Sequence, residues 1–376
     1  MLPQPPLWLV LIGFVCALGP LVVFHELGHY LVARLFGIPT EEFSIGFGRE
    51  LFGWTDRRGM RWKVGWLPLG GYVRFVGDMN PASSPGDLDH LPPEVRERAF
   101  QSRPVWQRFL VVLAGPAANF LLAIAIFAAF FATVGIPRTE NLVMSVQPGS
   151  VAERAGIRPH DRILSISGRD TSSFEDISNI VLMRPAEQVT IVVERSKQVF
   201  QLPVTIGAVE ERDRFGQKFR VGRLGIFGDK RAYVKVSALA LVPTAAGYTV
   251  KVTRSMMDGL WQIISGRRSA SELSGPIKIA QVAGQSASLG VLPFIELLAL
   301  FSINLGFINL LPVPVLDGGH LFFYAIEAIR RRPLSARAVD WAFRGGLAFI
   351  LALYVFGTFN DLGSLGLWDR LQRLIG

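Results

Sequence analysis

Cysteine is almost missing from this chain: Cys16 is its one thiol among 376 residues. A single cysteine permits no intramolecular disulfide, so a cross-linked scaffold is excluded. Charge is also scarce, with Asp, Glu, Lys and Arg at 18% against 50% hydrophobic residues. No charged residue falls between Leu7 and Phe24, and none between Arg108 and Arg138. Such a composition points to a membrane protein. Lys and Arg are likewise missing ahead of the first apolar run, since Met1-Leu2-Pro3-Gln4-Pro5-Pro6 is uncharged. A secretory signal begins with a basic stretch and has a shorter core, so a permanent first span is expected here.

Four apolar segments are long enough, or nearly so, to cross a hydrocarbon core of about 30 Å. They cover about 7–36, 109–137, 292–316 and 341–360. The last is the weakest, with sixteen uncharged residues between Arg344 and Asp361. A formal net charge of +9 could suit nucleic acid, but its placement argues for a bilayer as partner and against nucleic acid. Arginines crowd the 37–108 loop and the 330–344 connection. The positive-inside rule puts both in the cytoplasm, and residues 138–290 and both termini outside.

Histidine is rare, five in all, and two sit in His25-Glu26-Leu27-Gly28-His29 at the end of the first apolar run. On a helix, His25 and His29 at i and i+4 project from one face, with Glu26 beside them. Two nitrogen ligands for zinc and a carboxylate general base make the helix of a zinc hydrolase. A glutamate at membrane depth costs roughly 2.5–3.5 kcal/mol on insertion scales, so it needs such a reason to be there.

Further along, residues 61–77 alternate apolar and polar around a Pro/Gly turn, the pattern of a β-hairpin. Trp62 and Trp66 suit an interfacial or re-entrant position, and an ordinary surface hairpin fits equally. Residues 78–98 are rich in Pro, Ser and acids and read as a solvated loop. The second span carries Ala114-Gly115-Pro116-Ala117-Ala118-Asn119, small residues for close helix approach. Asn119 is either structural or a support behind the metal ligands.

Between the second and third spans, residues 142–206 read as short strands at 143–146, 162–166, 189–193 and 199–206 around helical pieces. A capping-box pattern occurs at Ser172-Ser173-Phe174-Glu175. The Pro148–Ile157 and Asp161–Gly168 segments resemble a PDZ domain of the circularly permuted bacterial kind, which binds peptide ends by strand addition. His160 stands where that family usually has glycine. Residues 238–264 form an amphipathic helical pattern, suited to the outer membrane surface or to packing under the module.

The third span cannot be one regular helix, because Pro312 and Pro314 break it and Gly318-Gly319 loosen the chain beyond them. Asp317 is a good third ligand there, with His320 as its rival on chemistry alone.

In this order, HELGH, GP-x-x-N, a PDZ module and N-x-x-P-x-P-x-L-D-G-G-H resemble the site-2 protease family. The nearest type is the bacterial regulator-of-sigma-E protease, a zinc intramembrane metalloprotease with a PDZ domain. The resemblance implies an α-helical polytopic membrane protein of about four spans. A re-entrant β-hairpin and an extracytoplasmic α+β PDZ domain would be inserted between them. It divides the chain at 1–36, 37–108, 109–137, 138–210, 211–290, 291–330 and 338–361. His25, His29 and Asp317 would bind Zn2+ and Glu26 would be the catalytic base. Asn304, Asn309, Pro312 and Pro314 would meet the substrate backbone. The substrate would be a transmembrane protein of the anti-sigma-factor kind, or a remnant signal peptide, cut in the bacterial inner membrane. A peptide terminus could occupy the PDZ module. The best-known members carry two tandem PDZ modules, whereas one is readable here. A metal transporter or a silent membrane scaffold would each leave part of this motif set unused.

Overall fold

The computed structural model describes residues 5–77, 92–138, 140–212, 218–228, 232–267 and 274–364. The chain begins with helix α1 (Leu7–Leu35). It closes in a Schellman turn, with Gly37 at φ 67° and Ile38 N–H donating to the Ala33 carbonyl at 2.9 Å. Strands β1 (Thr40–Thr55) and β2 (Arg61–Phe75) follow. Helix α2 (Pro93–Arg98) then leads to α3 (Val105–Thr133). Most of the acid-rich loop expected over 78–98 lies outside the described residues.

The expected hairpin at 61–77 is not a hairpin by itself. Its residues form β2, and the partner is β1, which the glycine-interrupted 40–55 sequence had concealed. Pairing is two-sided: residues 42–45 lie opposite 71–74 on one side and 61–64 on the other. Residues 50–55 then take the free side of 61–65. The result is a small folded sheet ordered 50–55, 61–65, 42–45, 71–75. Glycines permit this crowding, since a Cβ on Gly65 would stand 2.5 Å from the Phe47 carbonyl oxygen.

An α/β unit follows. Its strands are β3 (Ile136–Arg138), β4 (Ser145–Val146), β5 (Arg162–Ile166), β6 (Arg169–Asp170), β7 (Gln188–Arg195), β8 (Gln198–Thr205), β9 (Gly207–Arg212), β10 (Lys218–Arg223), β11 (Ile226–Phe227) and β12 (Ala232–Val234). Helices α4 (Val151–Arg154) and α5 (Phe174–Leu182) lie among them. The main sheet has the order β6-β5-β7-β8, and β3 pairs with β12, so the chain enters and leaves through one antiparallel neck. Ile163, Ile166, Ile177, Ile191 and Val193 fill its core. The capping box of α5 uses Ser173 and Asp176, one position later than expected. His160 holds a left-handed φ of 68°, a conformation that glycine adopts more readily.

Helix α6 (Ala238–Ile264) packs Ala245 against Phe127, Phe131 and Ile303. It also meets the α/β unit, with Arg169 paired to Asp258 and Lys251 to Asp176. Helix α7 (Pro276–Ser288) was not foreseen; it lies on α1, where a Cβ on Gly284 would stand 2.6 Å from Val10 Cα. Helix α8 (Val291–Asn309) ends before the two prolines, α9 (Asp317–Arg330) restarts beyond them, and α10 (Ala336–Ser364) completes the described chain. Among the described residues, four helices, α1, α3, α8 and α10, are long and apolar enough to cross a membrane. The third expected segment is shorter as a helix than 292–316, because the chain turns out of α8 after Asn309.

Candidate metal centre

Histidines four apart on α1 share the face turned to α3. Contact there is close because Gly28, inside the motif, has no side chain: a Cβ would lie 2.3 Å from the Ala114 carbonyl oxygen. Gly115 does the same for His29, since its Cβ would fall 2.2 Å from His29 Nε2. Pro116 lacks the N–H that would bond the Val112 carbonyl, which loosens this turn of α3. In the same turn the Val111 carbonyl accepts from His29 Nδ1–H at 2.8 Å. That tautomer leaves His29 Nε2 with a free lone pair.

Asn119, fully buried, serves His25. Its amide Nδ2 lies 3.0 Å from His25 Nδ1, while its Oδ1 is buried without a partner. Amide nitrogen and oxygen exchange by a half-turn, and the turned amide accepts from Nδ1–H. His25 Nε2 is then also free for a metal. The Asn119 carbonyl accepts from Ser302 at 2.7 Å, which ties α8 to the same point.

Asp317 comes from the start of α9. Gly318 and Gly319 let that helix press against the preceding loop, their Cβ positions lying 2.2 Å from the Leu311 and 2.5 Å from the Val313 carbonyl oxygens. Asp317 Oδ2 stands 3.0 Å from His25 Nε2 and 3.5 Å from His29 Nε2, and the two Nε2 atoms are 3.2 Å apart. Metal–ligand bonds of about 2.0–2.2 Å in a tetrahedron give edges of about 3.3–3.6 Å. The triangle, with edges of 3.0–3.5 Å, is a slightly contracted version of one tetrahedral face. Oδ2 is buried with no hydrogen-bond partner, as a ligand atom awaiting a cation would be. Two imidazoles and a carboxylate suit zinc, and these three residues could hold it.

Glu26 lies beside the triangle, where its carboxylate accepts a backbone hydrogen bond from Val73 and its Cγ approaches Gly71. The 71–75 edge of the sheet thus reaches the centre. Asn309 is drawn in, its Nδ2 3.5 Å from His25 Nε2. Asn304 is half-buried about 140° around α8 from Asn309, on a separate face. Pro312 is exposed in the loop, and Pro314 meets Gly346 of α10. His320, the rival ligand, packs its ring 5.1 Å from Phe343 and 6.3 Å from Tyr324, away from the triangle. The part played by Gly115 was not visible in the sequence. A glycine before a proline signals a turn or close packing, and only the fold puts the His29 ring against it.

Membrane-length helices around a His-His-Asp triangle with an adjacent glutamate define a membrane-associated metallohydrolase. The chain belongs to peptidase family M50, whose model matches residues 13–353. A protein provisionally named a zinc metalloprotease in Agrobacterium fabrum is 43% identical, covering 94% of this chain and 96% of its own. Another with that provisional name in Rhizobium meliloti is 44% identical over the same shares. The metalloprotease MmpA of Caulobacter vibrioides is 38% identical, over 97% and 98% of the two chains. The protein is a zinc metalloprotease of this family.

Proposed function

We propose that the protein cuts peptide bonds inside transmembrane segments of single-span membrane proteins, at a zinc held by His25, His29 and Asp317. The observation that carries this reading is the triangle of donor atoms, edged by Glu26 and by a β-strand, among helices of membrane length. Zinc, when bound, supplies Lewis acidity that polarises a peptide carbonyl and makes water nucleophilic near neutral pH. Glu26 takes the proton of the attacking water and passes it to the leaving amine. The substrate helix must first unwind, and its freed backbone groups need partners because lipid offers none. Asn309 and the 71–75 strand edge supply them beside Glu26, Asn304 does so from a second face of α8, and the Pro312–Pro314 loop shapes the wall of the cleft.

The substrate class is regulated membrane proteins, such as anti-sigma factors, and remnant signal peptides. The setting is the bacterial inner membrane, the β1–β2 sheet is the re-entrant element, and the α/β unit is a PDZ domain on the extracytoplasmic side. Glu26→Gln tests the reading. The purified variant is expected to keep about one zinc per chain by elemental analysis and to lose cleavage of a model transmembrane segment by at least about a hundredfold. Normal cleavage by Glu26→Gln would sink the mechanism.

A further inference from the structure

The ligands come from α1 and from the start of α9, yet both are positioned by one face of α3. Arg108, Val111, Gly115 and Asn119 succeed one another at intervals of three and four residues, so they form a single stripe. Asn119 holds His25, and Val111 with Gly115 holds His29. Arg108, at the end of the stripe, reaches α9: its Nη2 donates to Glu327 Oε1 at 2.7 Å, and both side chains are largely shielded, 11% and 16% exposed. Arg108 is itself fixed, with Nε donating to the Arg103 carbonyl at 3.0 Å and the guanidinium 4.9 Å over the Tyr324 ring. Between the pair and the ligand, Leu321 and Tyr324 are buried in a cluster with Val111 and Val112.

Ten residues separate Asp317 from Glu327, about 15 Å of helix, and eleven separate Arg108 from Asn119, about 16 Å. The two helices are therefore pinned at both ends of equal lengths, at the metal triangle and at the ion pair. A helix held only by Leu321 and Tyr324 could slide or turn about its axis; a charge-assisted bond between shielded groups removes that freedom. We infer that Arg108 and Glu327 are positioning residues for the metal centre, fixing the axial and rotational setting of α9 so that the Asp317 carboxylate meets both imidazoles. The inference rests on reading His25, His29 and Asp317 as the zinc ligands.

The test is zinc retention by the full-length protein in detergent, read by competition with a chromogenic chelator. Thermal unfolding of the metal-free protein is followed in parallel. Arg108→Gln and Glu327→Gln are each expected to weaken zinc binding by about tenfold and to lower the unfolding temperature of the zinc-bound protein more than that of the metal-free protein. The double variant should be no weaker than either single one, and Arg108→Lys, which keeps the charge, should recover most of the loss. Unchanged zinc binding in the Gln variants would overturn the inference. So would a fall in metal-free unfolding temperature as large as that with metal, since the pair would then be a general brace. Asp317→Asn separates the two levels of argument: if it keeps zinc, the ligand assignment itself fails. If it loses zinc while the Arg108 and Glu327 variants keep theirs, only the positioning role fails.

Discussion

At the scale of single residues, the donor groups of the triangle and the groups that make room for them differ in how they can be found. His25, Glu26, His29 and Asp317 are legible in the sequence because charged and ligating side chains are costly in apolar segments and demand a chemical reason. Gly115 is not, because its importance is a distance across two helices. Gly115→Ala is expected to displace the His29 ring, whose Nε2 stands 2.2 Å from the added Cβ position. Zinc affinity should fall by about ten- to a hundredfold with the helices still formed; elemental analysis and circular dichroism check this together. Full zinc occupancy would show that His29 tolerates the shift. His160 makes the opposite case. It occupies a left-handed φ of 68° that costs a non-glycine residue free energy. His160→Gly is expected to stabilise the α/β unit by about 0.5–1 kcal/mol, read as a higher unfolding temperature.

Among elements, long apolar helices could be read directly, and so could a break at Pro312 and Pro314, because prolines remove backbone donors wherever they fall; that α8 already ends at Asn309 could not. Strands β4, β5, β7 and β8 of the α/β unit were legible by alternation and turn residues. The β1–β2 sheet was only half visible. Its second strand alternates cleanly, but β1 is broken by Gly46, Gly48 and Gly53, and its pairing depends on a fold back across both arms of β2. Helix α7 escaped because its small residues pack on α1 at Gly13 and Gly284, a pattern with no apolar stripe to announce it. The α/β unit also contains a pH-sensitive joint. Asp161 is fully buried. Burial alone would push its carboxyl up, but two 2.7 Å bonds from Arg195 and one from the Arg158 N–H outweigh this and hold it below the usual range. A depressed carboxyl stabilises the fold fully above its unfolded value, about 3.9, and progressively less as pH falls towards its folded one. Unfolding temperature should therefore drop below about pH 4 more steeply in the wild type than in Asp161→Asn. The variant itself should be less stable at pH 7 by about 2–3 kcal/mol. Parallel pH profiles for the two proteins would remove Asp161 from this role.

For the whole molecule, the question is how the α/β unit is held against the helices. One antiparallel neck, β3 with β12, would leave it free to swing, but α6 restrains it. Arg169 grips both oxygens of Asp258, one at 2.6 Å, Lys251 meets Asp176 at 3.0 Å, and Gly259 lies against Met183. On its other side α6 is built into the bundle, with Tyr248 against Phe127 and Phe131 of α3. A lone exposed ion pair is worth little, at most about 1 kcal/mol. A bidentate arginine pair seconded by a lysine is a more definite latch, because it fixes direction as well as distance. If the protein cuts transmembrane segments as proposed, a unit latched in one orientation against the helices would act as a size filter on substrates. Asp258→Arg should release it by setting two arginines against each other, and adding Arg169→Asp should restore the latch with its polarity reversed. The measurement is the ratio of cleavage rates for one transmembrane segment bearing either a short outer tail or a folded outer domain. Release should bring that ratio towards unity by admitting the bulky substrate, and the double variant should return it to the wild-type value. If Asp258→Arg leaves the ratio unchanged while the short-tailed substrate is still cut, orientation of the unit does not govern entry. The filter must then reside in the helices themselves.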